Sequence, residues 1–343
     1  MNYKAFLNTI SVKAYTLPIV ILYVTEGCNL RCATCSYRDA MPGELTLEEI
    51  NKLANDLYKF GLKHIVYSGG EPLLRRDFVN ICEVFERLHV KQSLLTNGLL
   101  LEKRVEEIQK FFREIIVSID GADAVTHNSI RGLNSFDQIL KGIKRAIASP
   151  QRKEISIRTV IQKRNFRQLP EMIELAKSLG VTRISFLSAD VFSDSFGRDT
   201  RGYADKNENI LLSNEETIEF RKIIEDTISR YKNEFENKFI SESPDKMFRI
   251  LKYFEASIGK SDYPKNTCNA PMVSAVITST GNILPCYFLP LFGNIRKEPI
   301  SQLLNNNVIK STRKNVRDYV PERCKQCVCT LHVNSRKALL DTF

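Results

Sequence analysis

Nine cysteines divide into two groups and one outlier. Cys28, Cys32 and Cys35 stand close together as CxxxCxxC, five more lie between Cys268 and Cys329, and Cys82 is alone in the middle of the chain. Thiolates are the usual ligands of iron–sulfur clusters, and a cubane with four irons takes four of them, so three in one loop leave one iron open to a further ligand. A zinc site is the alternative. Structural zinc normally closes with four ligands, commonly paired CxxC motifs, and no His or fourth Cys lies within this loop.

In the second group, Cys268 and Cys286 bracket a hairpin-like stretch as Cx12Gx4C, and Cys324 and Cys327 form a CxxC. These four suffice for one fully ligated cubane, with a four-cysteine zinc site left open as the alternative. Cys329 could replace Cys327, but the local CxxC favours Cys324 with Cys327 and leaves Cys329 a free thiol. Cys82, on a helical segment among apolar neighbours, reads as a small core residue. His64, His89, His127 and His332 do not cluster and read as structural or surface residues. The run Tyr287-Phe-Leu-Pro-Leu-Phe292 beside Cys286 is expected to pack around the second metal site, with lining of a substrate cavity as the other reading.

The elements that must position these residues follow an alternating pattern. Short β-rich runs at Ile19–Val24, His64–Tyr67, Gln92–Leu95, Ile115–Ile119, Ile155–Ile161 and Arg183–Leu187 are separated by helical segments, the pattern of βα units around a parallel sheet. Thr46-Leu-Glu-Glu49 is a capping box that opens a helix ending before Gly61, and Phe166–Leu179 reads as a helix stopped at Gly180. After Ala189 the composition turns to Asp, Ser, Asn, Gly and Lys until about Asn214, which reads as a linker or surface loop. A charged amphipathic stretch then runs to about Asn237, and AVITSTGNILPCYF predicts a hairpin turning at Thr280-Gly281-Asn282. The expected layout is an N-terminal extension over 1–17, the βα units over 18–190, a linker and helical segment over 191–265, and a cysteine-rich unit over 266–343.

The cysteines follow directly on the first strand, at the end of it where α/β folds place their chemistry. CxxxCxxC in that place resembles the hallmark of the radical S-adenosylmethionine (SAM) superfamily. The resemblance implies an α/β fold, a partial (β/α)6 barrel, with a cluster whose open iron is chelated by SAM. One electron passed to the sulfonium then breaks a C–S bond, and the 5′-deoxyadenosyl radical abstracts hydrogen from substrate, so the cofactor carries the hard chemistry. Ser68-Gly-Gly-Glu-Pro72 after the second strand resembles the family motif that binds the methionine ammonium, which implies roles for Gly69, Gly70 and Glu71. Thr96 and Asn97 at the end of the third strand, and Ser118 and Asp120 at the end of the fourth, resemble family segments that contact SAM. Arg131 resembles the arginine that pairs with the SAM carboxylate, a fit its forked guanidinium suits. Family members often carry an aromatic residue before the third cysteine. Here Thr34 stands there, and Tyr37 is expected to supply the adenine's aromatic face or backbone contacts instead.

The second cysteine group resembles the SPASM/twitch extension, which implies a small C-terminal α+β domain with one auxiliary 4Fe-4S cluster held by Cys268, Cys286, Cys324 and Cys327. The resemblance spans peptide, carbohydrate and small-molecule chemistry. Only 27 residues precede Cys28, which tilts the expected substrate towards a small molecule or lipid-linked metabolite, with a peptide-modifying maturase and a non-catalytic metal-binding scaffold as alternatives. A flavodoxin or ferredoxin is the reductase the family implies.

The net charge of +10 is spread among 40 acidic residues, a solvated surface that calls for no nucleic acid. No run of about 18 apolar residues occurs and the N-terminus lacks a signal peptide, so the expected location is the cytoplasm with no transmembrane segment.

Overall fold

The computed structural model describes residues 3–151, 153–198, 209–329 and 331–334. Strands β1 (Ile19–Thr25), β2 (His64–Gly69), β3 (Lys91–Thr96), β4 (Glu114–Ser118), β5 (Glu154–Ile161) and β6 (Arg183–Ser188) pair in parallel and in chain order. β1 shows why they stay buried. Its Val20, Leu22 and Val24 enter the main core under the helices, while Ile21 and Tyr23 face a second cluster with Val276 on the inner side of the sheet. A strand covered on both faces needs such a continuous apolar run.

Helix α1 (Tyr3–Ile10) stands apart, and the helices that cover the outer face include α2 (Leu47–Lys59), α3 (Phe78–Arg87), α4 (Leu101–Ile108), α5 (Ala124–Arg131), α6 (Phe136–Ala148) and α7 (Leu169–Leu179). The Thr46 capping box is complete, with Glu49 N–H donating to Thr46 Oγ1 and Thr46 N–H to Glu49 Oε2. Gly180 stops α7 in the left-handed conformation. The connection from β4 to β5 holds two helices, and the first ends on Arg131.

β7 (Ser274–Ile277), β8 (Asn282–Leu284) and β9 (Gly293–Asn294) continue the same sheet, in the order β6-β5-β4-β3-β2-β1-β7-β8-β9. β7 runs parallel to β1 and forms the predicted hairpin with β8. The cysteine-rich region is thereby fused to the first strand of the barrel. The sheet does not close, since β6 and β9 are its two edges. The N-terminal helix joins the far end: Ala5 packs with Met272, Val273 and Val333, and Asn8 Nδ2 donates to Met272 O at 2.8 Å. Among the described residues no helix is long and apolar enough to cross a membrane.

Residues 189–198 differ from the composition-based reading of a surface loop. Ala189, Val191, Ser193 and Arg198 are buried, because Asp190 receives an ion pair from Arg198 and another from Arg323 of the C-terminal region. The polar composition there serves an internal charge network. Residues 199–208 of the predicted linker lie outside the described residues.

Candidate functional site

The loop after β1 is held from three sides. Cys28 N–H donates to Arg38 O at 3.0 Å, Arg31 and Ala33 N–H donate to the carbonyls of Arg131 and Ile130 at 3.0 and 2.9 Å, and Ser36 N–H donates to Phe196 O at 2.9 Å. The second of these docks the loop on the C-terminus of α5, whose last carbonyls have no helical partner. Gly132 makes that approach possible: its φ is 70°, and an added Cβ would lie 2.3 Å from Arg31 O. Cys28, Cys32 and Cys35 thus face one cavity of about 280 Å³ at the C-terminal ends of the strands. Burial, with repulsion from the neighbouring thiols, pushes Cys28 up and Cys35 up to about 11. Thiols in such a place ionise against a metal cation, which deprotonates its ligands on binding.

The same cavity is lined by Ser68, Gly69, Gly70, Thr96, Asn97, Ser118, Asp120 and Arg131, so the glycine turn, the two strand ends and the arginine predicted beside the cysteines converge. The Ser68–Gly70 shelf is stitched to the root of the cysteine loop, Gly70 N–H donating to Thr25 O at 2.9 Å and Glu71 N–H to Gly27 O at 2.8 Å. The shelf is too tight for a side chain, since a Cβ on Gly70 would stand 2.1 Å from Gly27 O. Arg131 pairs with Asp120 at 2.8 Å and points Nη1 at Cys32 Sγ, 3.8 Å away. Asp120 is buried, which raises its pKa, and Arg131 opposes that rise. Its other oxygen accepts from Val160 N–H at 2.8 Å. The Nε of Arg131 is buried without a partner among the described residues. Three converging thiols, a backbone shelf and a guanidinium with an unused donor fit a cluster carrying a small amino acid-like molecule.

Two predicted contacts take a different role. The Glu71 carboxylate is fully buried and turned away from the cavity: Thr96 Oγ1 donates to it at 2.8 Å, Asn97 N–H at 2.7 Å and Leu73 N–H at 3.0 Å. With three donors on it, Glu71 holds the end of β3 in place. Tyr37 also stays outside the cavity lining, its ring edge-on to Tyr23 at 6.2 Å, because the inner face of β1 offers it an apolar seat. Phe196 is the aromatic side chain at the cavity on that side.

Burial raises Glu71 from 4.5 to about 6, against the pull of its hydrogen bonds. A folded-state pKa above the unfolded one means the folded chain holds this proton more tightly. The associated stability is present below about pH 4.5 and is lost as pH rises towards about 6. The loss is on the order of 2 kcal/mol. Thermal melts should therefore show wild type losing stability relative to Glu71→Gln as pH rises across that range; parallel curves for the two proteins would show that Glu71 does not titrate there.

The second cysteine group also assembles. Cys268, Cys286, Cys324, Cys327 and Cys329 line one smaller cavity of about 80 Å³, walled by Pro271, Leu289 and Val316 among others. Burial pushes Cys286 up to about 12 and Cys324 up to about 11. Asn266 pins the CxxC by donating Nδ2 to Cys327 O at 2.7 Å and to Cys324 O at 3.3 Å. Cys329 lines this cavity and the larger one alike, as do Tyr287 and Phe288. The two sites therefore share a wall. Cys82 is buried in the main core as expected, His64 bonds Ser93, and His332 is exposed. His127 is buried, and its Nδ1 accepts from Asp120 N–H at 3.3 Å, which steadies the turn that carries Asp120.

Sequence reasoning missed Arg158, Asp190, Phe196 and Arg198 in the cavity wall. Arg158 carried a usable signal, the one charge inside the β-rich run Ile155–Ile161. The other three lay in a segment whose composition masked them.

An open α/β barrel with three thiols at the end of its first strand, facing a glycine shelf and a buried arginine, defines a class that binds a cluster and a small ligand together. The chain belongs to the radical SAM superfamily, which it matches over residues 22–176, and it carries a SPASM iron–sulfur cluster-binding domain over residues 268–328. It is a radical SAM enzyme, with SAM and 4Fe-4S clusters as the family's cofactors. It is 28% identical to the AdoMet-dependent heme synthase of Methanosarcina barkeri over 82% of this chain and 80% of that one. It is 33% identical to a GTP 3′,8-cyclase of Synechocystis sp. over 45% of this chain, and spans 49% of that relative's length. Among solved structures, Streptococcus suis SuiB bound to S-adenosylmethionine shares the fold with a TM-score of 0.64 at 17% identity, covering 98% of this chain and 76% of SuiB. Native anSMEcpe with bound AdoMet does so with a TM-score of 0.63 at 19% identity, covering 94% of this chain and 96% of that one.

Proposed function

We propose that this enzyme reductively cleaves SAM at a cluster held by Cys28, Cys32 and Cys35, and that a small molecule bound in the same cavity gives up a hydrogen atom. The observation that carries the reading is convergence: three thiols, the Gly69–Gly70 shelf and Arg131 open into one cavity whose far wall belongs to the cysteine-rich region. When bound, the cluster delivers an electron to the SAM sulfonium, whose cleaved adenosyl group removes the substrate hydrogen. Everything else is the work of this chain. Arg131, held by Asp120, presents its guanidinium to the SAM carboxylate. The shelf offers carbonyl oxygens to the methionine ammonium, with Glu71 and Thr96 bracing it from behind. Ser118 and Asn97 supply polar contacts, and Phe196 covers the side that Tyr37 does not. Cys268, Cys286, Cys324 and Cys327 hold an auxiliary 4Fe-4S cluster.

The long match to a heme synthase supports a small-molecule substrate, and the cavity's apolar wall of Tyr287, Phe288 and Val328 is in keeping with it. Anaerobic reconstitution should load about seven to eight irons per chain, four to each cubane. With SAM and a strong reductant, the loaded enzyme should release 5′-deoxyadenosine even before a substrate is found. Intact SAM after such incubation would leave a scaffold role in its place.

A further inference from the structure

The charges that line the larger cavity are unequally matched. Arg131 is paired with Asp120, and Arg198 with Asp190, which also receives Arg323 at 2.7 Å. Arg158 is the exception. Its Nε donates to Ser185 Oγ at 3.2 Å, and no carboxylate stands within ion-pair distance of it among the described residues. Glu242, an acid that feels its charge, already accepts Phe186 N–H at 2.8 Å and faces Lys246 at 3.8 Å. One serine bond orients the guanidinium, and among the described residues neither terminal nitrogen has a hydrogen-bond partner.

Resting on the reading given above, we propose that Arg158 docks a carboxylate of the substrate, and that the substrate's body is apolar and ring-bearing. Position separates this group from the SAM contacts. Arg131 lies against Cys32, whereas Arg158 stands on β5 beside the strand that leads into Asp190, and it acts on Cys329 and Tyr287 of the cysteine-rich wall. That wall is aromatic: the ring of Tyr287 lies 6.0 Å from Phe196 and 6.2 Å from Phe288, with Val328 completing it. A partly desolvated guanidinium opposite aromatic faces selects a molecule with an anionic end and a flat apolar part. A single unpaired positive charge balances a carboxylate; a phosphate dianion would want a second.

The test uses the reconstituted holoenzyme saturated with SAM, titrated calorimetrically with 3-phenylpropionate, its neutral isostere 3-phenylpropionamide, and phenyl phosphate. The carboxylate should bind about tenfold or more tightly than the amide, as expected of a charge-assisted pair. Arg158→Gln should erase that ratio and Arg158→Lys should keep part of it, with iron content and melting temperature confirming that both variants are folded. Equal affinity of wild type for acid and amide, a preference for phenyl phosphate, or an unchanged ratio in Arg158→Gln would each overturn the proposal. A SAM affinity that falls in step with the ratio would do so too, by making Arg158 a SAM contact. Failure of the wild type to release 5′-deoxyadenosine is a separate readout that strikes the radical SAM reading and leaves the selectivity ratio intact.

Discussion

Cys32→Ala should reduce 5′-deoxyadenosine release to the level of a protein-free control and remove about four irons per chain. Cys32 is the middle of the three thiols, and no other His, Cys, Asp or Glu lies within its loop segment from Cys28 to Cys35 to replace it. Two thiolates cannot hold a cubane that must also keep one iron open for SAM. The loop itself should survive, because Arg31 and Ala33 hold it to α5 through backbone bonds on both sides of Cys32. Cys324→Ala provides the contrast. It removes a thiol from the other cavity, so it should lower iron by a similar amount while SAM cleavage stays above the protein-free control. If both variants lost the same irons and the same activity, the two cysteine groups would be serving one centre, and the division between them would be wrong.

That division was legible in the sequence because both groups depend on local spacing. CxxxCxxC and the CxxC at Cys324–Cys327 each sit in one short segment, and such spacing survives folding. The six strands were legible for a related reason: β-branched and apolar residues dominate each run, unbroken in Ile19–Val24 and interrupted only by Ser156, Arg158 and Thr159 in Ile155–Ile161. What stayed hidden depends on distant partners. Asp190 and Arg198 look like surface charge until Arg323, far along the chain, is brought beside them. Glu71 lies in the right motif, but its three donors come from Leu73 and from the end of β3, so its carboxylate faces inward. Tyr37 turned towards Tyr23 because the inner face of β1 is apolar, a preference visible only once the strand's two faces are assigned. The cysteine-rich region read as a separate unit, yet β7 pairs with β1 over Ile19–Leu22. A hairpin's sequence does not reveal which outside strand its edge will join.

Gly70→Ala should weaken SAM binding by about a hundredfold or more, the scale on which misplacement by an ångström acts. The reason is steric. Its Cβ would lie 2.1 Å from Gly27 O and 2.6 Å from Glu26 O, backbone atoms that cannot swing aside as a side chain would. The shelf and the root of the cysteine loop are bonded to each other through Gly70 N–H and Glu71 N–H, so relief of the clash must part them. Parting them would move the carbonyls proposed to bind the ammonium away from the thiols, and the two halves of the proposed SAM site would lose register. Gly180→Ala isolates this effect from the ordinary strain of replacing glycine. Gly180 has a φ of 71°, but an added Cβ there meets nothing within 4 Å. That variant should lose about 1–2 kcal/mol of stability from the left-handed backbone alone. It should bind SAM as wild type does, since α7 ends on the outer layer, far in the fold from the cysteine loop. SAM titration of both variants, alongside thermal melts, separates the two cases: stability should fall in each, and SAM affinity only in Gly70→Ala. Wild-type affinity in a folded Gly70→Ala protein would mean that the turn after β2 does not shape the SAM site.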